Sequence, residues 1–152
     1  MKNFLKSAFI VAIPILVGAL SGFLIRNNVY IYDVLIKPPY ALPANLFSVV
    51  WGILYLLMGV SLLFYLKSDY SPDGVTLFAF QLLLNFFWSI VFFNFRAFLA
   101  AFILLVVLFV FVALTVSTFY KTQKISGILL IPYLLFLIYA GYLNFGVWFL
   151  NM

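Results

Sequence analysis

"FLAAFILLVVLFVFVAL", residues 98–114, runs for seventeen residues without one polar side chain. A helix rising about 1.5 Å per residue crosses a hydrocarbon core of about 30 Å in about 20 residues, and the apolar character here continues to Tyr120. A barrel strand would be about 10 residues long and would alternate in polarity, which this stretch does not. Residues 98–120 therefore read as a membrane-spanning helix. Nothing in residues 98–114 can recognise a polar group, so this span is expected to face lipid or to form a dimer contact.

Working outward, the same pattern recurs over Phe4–Ile25, Ala44–Leu66, Val75–Phe95 and Ile125–Leu150. The 152 residues are 68% hydrophobic and 7% charged, with a mean hydropathy of +1.29, and the loops are too short to hold a soluble domain. The fold class that follows is an all-α membrane protein, a single five-transmembrane-helix bundle over residues 1–152. The first run, "KNFLKSAFIVAIPILVGALSG", has the basic start and small-residue end of a signal peptide. Gly18 and Gly22, spaced to let a neighbouring helix approach, favour a span that is retained and packed.

An odd number of spans puts the termini on opposite sides. Lys2, Lys6, Lys67, Lys121 and Lys124 share one face, against Arg26, Lys37 and Arg96 on the other, so the N-terminus is expected in the cytoplasm. Tyr30, Tyr32, Tyr40 and Trp148 gather near one boundary and Tyr65, Tyr70 and Tyr120 near the other, as interfacial aromatic belts do. More Lys than Arg and a short N-terminus point to a bacterial plasma membrane. The net charge of +5 is spread over short loops, which fits topology and lipid headgroups and not nucleic acid.

Composition removes most reaction chemistry. The chain has no Cys and no His, and its acidic residues are Asp33, Asp69 and Asp73 alone. Thiolates, imidazole bases, zinc sites and intramembrane carboxylate pairs are all missing, so no catalytic residue, metal site or cofactor is assigned.

Binding groups remain. Gln81, Asn85 and Ser89 recur every four residues on the third span, with Trp88 beside them, so one polar stripe should face inward. It can either join helices by hydrogen bonds or line a cavity. Trp51, Trp88 and Asn144 fall near the same depth, about 10 Å below one boundary, on three different spans. Trp51 and Tyr55 are one turn apart, and Phe136, Ala140, Leu143 and Asn144 follow helical spacing on the fifth span. Such a set fits a largely apolar small-molecule site, and equally an aromatic packing stripe. Asn144 is expected to be structural.

The first loop contains "IKPPYALP", residues 36–43. Pro38, Pro39 and Pro43 fix φ and disfavour helix before them, so the segment should be stiff and extended. It would either cover a cavity or simply stop a helix, with Lys37 and Tyr40 at the interface.

Across nearly the whole chain these segments resemble the translocator protein family, called TspO in bacteria and the peripheral benzodiazepine receptor in mitochondria. "YDVLIKPPYALP" is similar to its first-loop motif, "VVWGILYLLMG" to its second helix, "QLLLNFFWSIVFF" followed by Arg96 to its third, and "IPYLLFLIYAGYLNFGVW" to its fifth. The resemblance implies a five-helix bundle, often a homodimer, binding porphyrins, sterols and synthetic benzodiazepine-site ligands beneath the first loop. It places Trp51, Asn85, Trp88, Phe136, Ala140 and Leu143 in the pocket, beside Tyr55, with the strap of Lys37, Pro38, Pro39, Tyr40 and Pro43 as lid. Porphyrin carboxylates would meet Arg26 or Lys37.

Three departures matter. Phe136 stands where many members have Trp, which weakens the alternative of a light-dependent porphyrin-degrading enzyme. Phe145 and Phe149 break the sterol-recognition pattern. Leu104 replaces a frequent acidic residue, so proton-coupled transport lacks its usual relay group, and a passive transporter of porphyrin or sterol stays as an alternative. The expected function is thus a sensor or regulator that binds tetrapyrroles or other hydrophobic small molecules among membrane lipids.

Overall fold

The computed structural model describes residues 2–152, with the side chain of Lys2, one of the five lysines assigned to the cytoplasmic face, outside that description. Five long helices carry the chain: α1 (Lys2–Ile25), α3 (Ala44–Leu66), α4 (Pro72–Ser89), α5 (Phe98–Thr122) and α6 (Lys124–Leu150). Each is long and apolar enough to cross a membrane, α4 when counted with the π-helical turn Ile90–Asn94 that extends it, and the described residues contain no strand. The helices start and stop close to the ends of the apolar runs, except that α4 begins at Pro72 and not at Val75. The sequence gives the reason: Ser71 accepts from the Gly74 N–H as N-cap and Pro72 occupies the first turn, where its missing N–H is harmless. A short helix, α2 (Ile31–Val34), was not foreseen and buries Ile31 and Tyr32 under the loop.

The long helices pack as a closed ring, α1 against α3, α3 against α6, α6 against α5, α5 against α4, and α4 back against α1. Contact between α1 and α3 is set by glycine. A Cβ on Gly18 would strike the Tyr55 ring, and one on Gly59 would strike the Val11 backbone. On α5, Ala101, Leu105, Leu108, Val112, Thr115 and Phe119 form a buried stripe, while Ile103, Val106, Val107, Val110 and Leu114 lie exposed as a lipid-facing band should.

Two cores fill the ring. One centres on Tyr65, stacked on Phe119 at 3.8 Å, with Phe78, Met58 and Tyr133; the other holds Trp88, Phe92, Phe93, Ala140 and Val147. Trp51 touches both. At the second end, hydrogen bonds from Asn28 to Asn94, Arg96 to Tyr30 and Asn151 to Ile36 join the first loop, the α4–α5 turn and the end of α6. The C-terminal ends of α1, α4 and α6 therefore lie together and α3 and α5 run the other way, the alternation that five membrane crossings require.

Candidate ligand site

Near this end a cavity of about 580 Å³ lies between α1, α3 and α4. On α1 the wall is Ile15, Ala19, Gly22 and Arg26, which share one helical face; on α3 it is Phe47, Ser48, Trp51, Gly52 and Tyr55; Trp88, Ser89 and Phe93 close the α4 side. The volume is within the range of small-molecule sites, and the lining is apolar apart from a few hydroxyls, two indoles and one cation.

Trp51 is the hub. Its ring stacks on Trp88 at 6.0 Å and meets Phe136 edge-on at 5.6 Å, with Tyr55 at 5.7 Å and Tyr133 at 6.1 Å. Its indole N–H is buried without a partner. Trp88, by contrast, donates to the Asn144 side chain at 3.0 Å, and Asn144 donates to the Phe98 carbonyl at 2.8 Å. Asn144 thereby ties α4, α5 and α6 together.

The expected site residues occupy three environments. Trp51, Tyr55 and Trp88 line the large cavity. Ala140 and Leu143, with Asn144, border a void of about 20 Å³ behind Trp88, and Phe136 backs Trp51 and Phe47 without lining either space. Asn85 lies below, accepting from the Tyr55 hydroxyl at 2.6 Å and donating to that of Tyr133 at 2.8 Å. The polar stripe on α4 does face inward, yet its members differ: Asn85 is bonded, Ser89 lines the cavity, and Gln81 is buried with both amide ends unpartnered.

The strap runs outside helix over residues 36–43, with a turn at Pro39–Tyr40 where Tyr40 takes φ 63°, so it is not extended throughout. It is fastened to α6. Asn151 accepts from the Ile36 N–H at 3.1 Å and donates to the Ile36 carbonyl at 2.9 Å; Tyr139 accepts from Leu42 N–H at 3.0 Å and donates to the Tyr40 carbonyl at 2.8 Å; Tyr142 donates to the Pro39 carbonyl at 2.9 Å. Pro38 sits so closely on Gly146 that a Cβ there would strike its ring. None of Lys37, Pro38, Pro39, Tyr40 and Pro43 lines the large cavity; Tyr32 and Phe47, stacked at 5.9 Å, stand at that end. Burial, and then the neighbouring Tyr139, raise the Tyr32 phenol above its ordinary pKa, which keeps it a donor to the Leu42 carbonyl at 2.8 Å.

The two cations named from sequence now separate. Lys37 donates to the Tyr32 carbonyl at 2.6 Å and lies over the Tyr32 ring. Arg26 lines the cavity, rests on the Phe23 ring at 3.8 Å, and has no hydrogen-bond partner among the described residues. Apart from Arg26, sequence reasoning missed the α1 wall, together with Ser48 and Gly52. The only signal was a run of small residues at helical spacing, which reads as packing.

Residues 10–149 match the TspO/MBR family. The chain is 37% identical to the "Tryptophan-rich protein TspO" of Chlorobaculum tepidum, over 99% of this chain and 98% of that one. It is 32% identical to the "Tryptophan-rich sensory protein" of Cereibacter sphaeroides, over 88% and 84% of the two chains. To the "Translocator protein" of Sus scrofa it is 34% identical over 88% and 85%.

Proposed function

The chain belongs to the TspO/MBR family, and from that premise we propose that it is a membrane receptor for porphyrin-type tetrapyrroles and related flat hydrophobic metabolites. A multi-pass membrane protein with a sensor or translocator role is the frame; the ligand class is our reading. One observation carries it: an aromatic-walled cavity with the Trp51 and Trp88 rings on one side and, at its end, a guanidinium that makes no hydrogen bond among the described residues. A macrocycle would stack between Trp51 and the α1 face, and a propionate would take the bidentate, charge-assisted bonds that Arg26 offers. Synthetic benzodiazepine-site ligands would use the same aromatic surfaces without the cation. With no His in the chain, haem gains no imidazole ligation, so metal-free porphyrin should bind at least comparably.

The test is a fluorescence titration of purified protein with protoporphyrin IX, its dimethyl ester, haem and a synthetic family ligand. Saturable binding is expected, weaker for the ester than for the free acid, with Arg26→Gln removing most of that difference. Absence of saturable binding by every compound would overturn the reading.

We place the protein in a bacterial plasma membrane with its N-terminus inside, on the excess of lysine at that end. Asn28 is engaged with Asn94, so exposed Asn27 is the better labelling position. Asn27→Cys should react with an impermeant maleimide from outside and Asp69→Cys only after permeabilisation. The reverse pattern would invert the orientation.

A further inference from the structure

We infer that the cavity is loaded from within the bilayer, through a gap between α1 and α3 floored by Gly22 and Gly52, while the strap stays shut. This rests on the reading of the cavity as a ligand site.

The strap side is closed by chemistry. Five hydrogen bonds and the seating of Pro38 on Gly146 hold residues 36–42 to α6. Lifting the strap breaks them together, because one stiff proline-rich segment carries all of them.

The α1–α3 side is open by geometry. A Cβ built on Gly22 meets nothing within 4 Å, nor does one built on Gly52, although both glycines line the cavity. One turn deeper on α1 Tyr55 fills the space over Gly18, and two turns deeper on α3 the Val11 backbone covers Gly59, so there the same two helices touch. The helices therefore diverge towards the Arg26 end, and Ala19 and Ser48, both exposed, flank the opening. What surrounds it is hydrocarbon-seeking: Phe23, Val49 and Ile53 are each more than half exposed. Only a molecule already dissolved in the lipid meets such a mouth.

The same geometry describes the guest. From Ile15 to Arg26 the α1 wall spans eleven residues, about 16 Å, enough for an elongated or planar apolar body. Arg26 stands at the end of that wall, where a carboxylate kept near the headgroups would arrive. The class that fits is an amphiphile with an apolar body and a carboxylate at one edge, taken up edge-first with its acid group trailing at the interface.

The experiment measures exchange of protoporphyrin IX between phosphatidylcholine vesicles and protein reconstituted in vesicles of the same lipid, read by tryptophan quenching. Gly22→Leu and Gly52→Leu fill open space, so each variant should fold. Each should slow association by about tenfold, and Val49→Trp, at the mouth but not on the cavity wall, should slow association and dissociation alike by about tenfold with the equilibrium constant moving far less. Loosening the strap with Asn151→Ala and Tyr139→Phe should not accelerate exchange. Exchange accelerated about tenfold by the loosened strap would overturn the portal. So would rates untouched by both leucines. Failure of the unmodified protein to bind at equilibrium would instead remove the ligand site itself.

Discussion

Replacing Asn85 with Leu removes the one group that satisfies two buried phenols. The Tyr55 hydroxyl donates to the amide at 2.6 Å and the Tyr133 hydroxyl accepts from it at 2.8 Å, and no water-filled space adjoins Asn85. Two effects compete in magnitude. A buried hydroxyl stripped of its partner costs about 1–3 kcal/mol in water-soluble proteins, which for two would reach several kcal/mol. Inside membranes the unfolded helices also find polar partners, and measured interhelical hydrogen bonds average about 0.6 kcal/mol each. The second effect wins for the bonds themselves, while full burial retains part of the first, so Asn85→Leu is expected to destabilise by about 1–3 kcal/mol. The sharper expectation concerns rescue. Adding Tyr55→Phe and Tyr133→Phe removes the orphaned hydroxyls and should restore most of the loss, because an apolar set of similar shape is nearly neutral. Reversible unfolding in bicelles measures the unmodified protein and both variants. A triple variant as unstable as the single one, or a single variant that loses nothing, would refute the account of this triad.

Other substitutions test neighbouring parts. Trp51→Ala should weaken porphyrin binding by about 1–3 kcal/mol with the fold retained, and unchanged affinity for every ligand would remove Trp51 from the site. Asn144→Leu strands the Trp88 indole N–H and frees the Phe98 carbonyl, so thermal stability should fall more than affinity; the opposite order would make it a ligand contact. Gln81→Leu removes an amide with neither end satisfied and should stabilise the bundle by about 1 kcal/mol or more, whereas a loss would show that Gln81 has a partner.

The five helices were legible because hydropathy and length alone decide what crosses a bilayer. Depth counting brought Trp51, Trp88 and Asn144 to one level, and they do meet. The fates of Gln81, Asn85 and Ser89 were not legible: identical spacing sends all three inward, and which of them finds a phenol, a cavity or nothing depends on the facing helices. Gly18 and Gly22 show the same limit. Their pairing reads as a helix contact, yet only Gly18 makes one, because the α1–α3 separation changes within a single turn. The π-helical turn has no signature in Ile90–Asn94 beyond Asn94, whose side chain bonds Asn28 and the Leu24 carbonyl. Asn151, one amide beyond the last apolar run, gave no hint that it clasps the strap.

That clasp sets an order in time. The strap is made early, but Tyr139, Tyr142, Gly146 and Asn151 are made roughly a hundred residues later, at the far end of the last helix. A nascent chain can insert its first four helices and still carry the strap loose, because none of those fasteners has yet left the ribosome. Closure then waits for residues 139–151, and a protease directed at residues 36–43 should cut chains arrested before Tyr139 while sparing those that extend past Asn151.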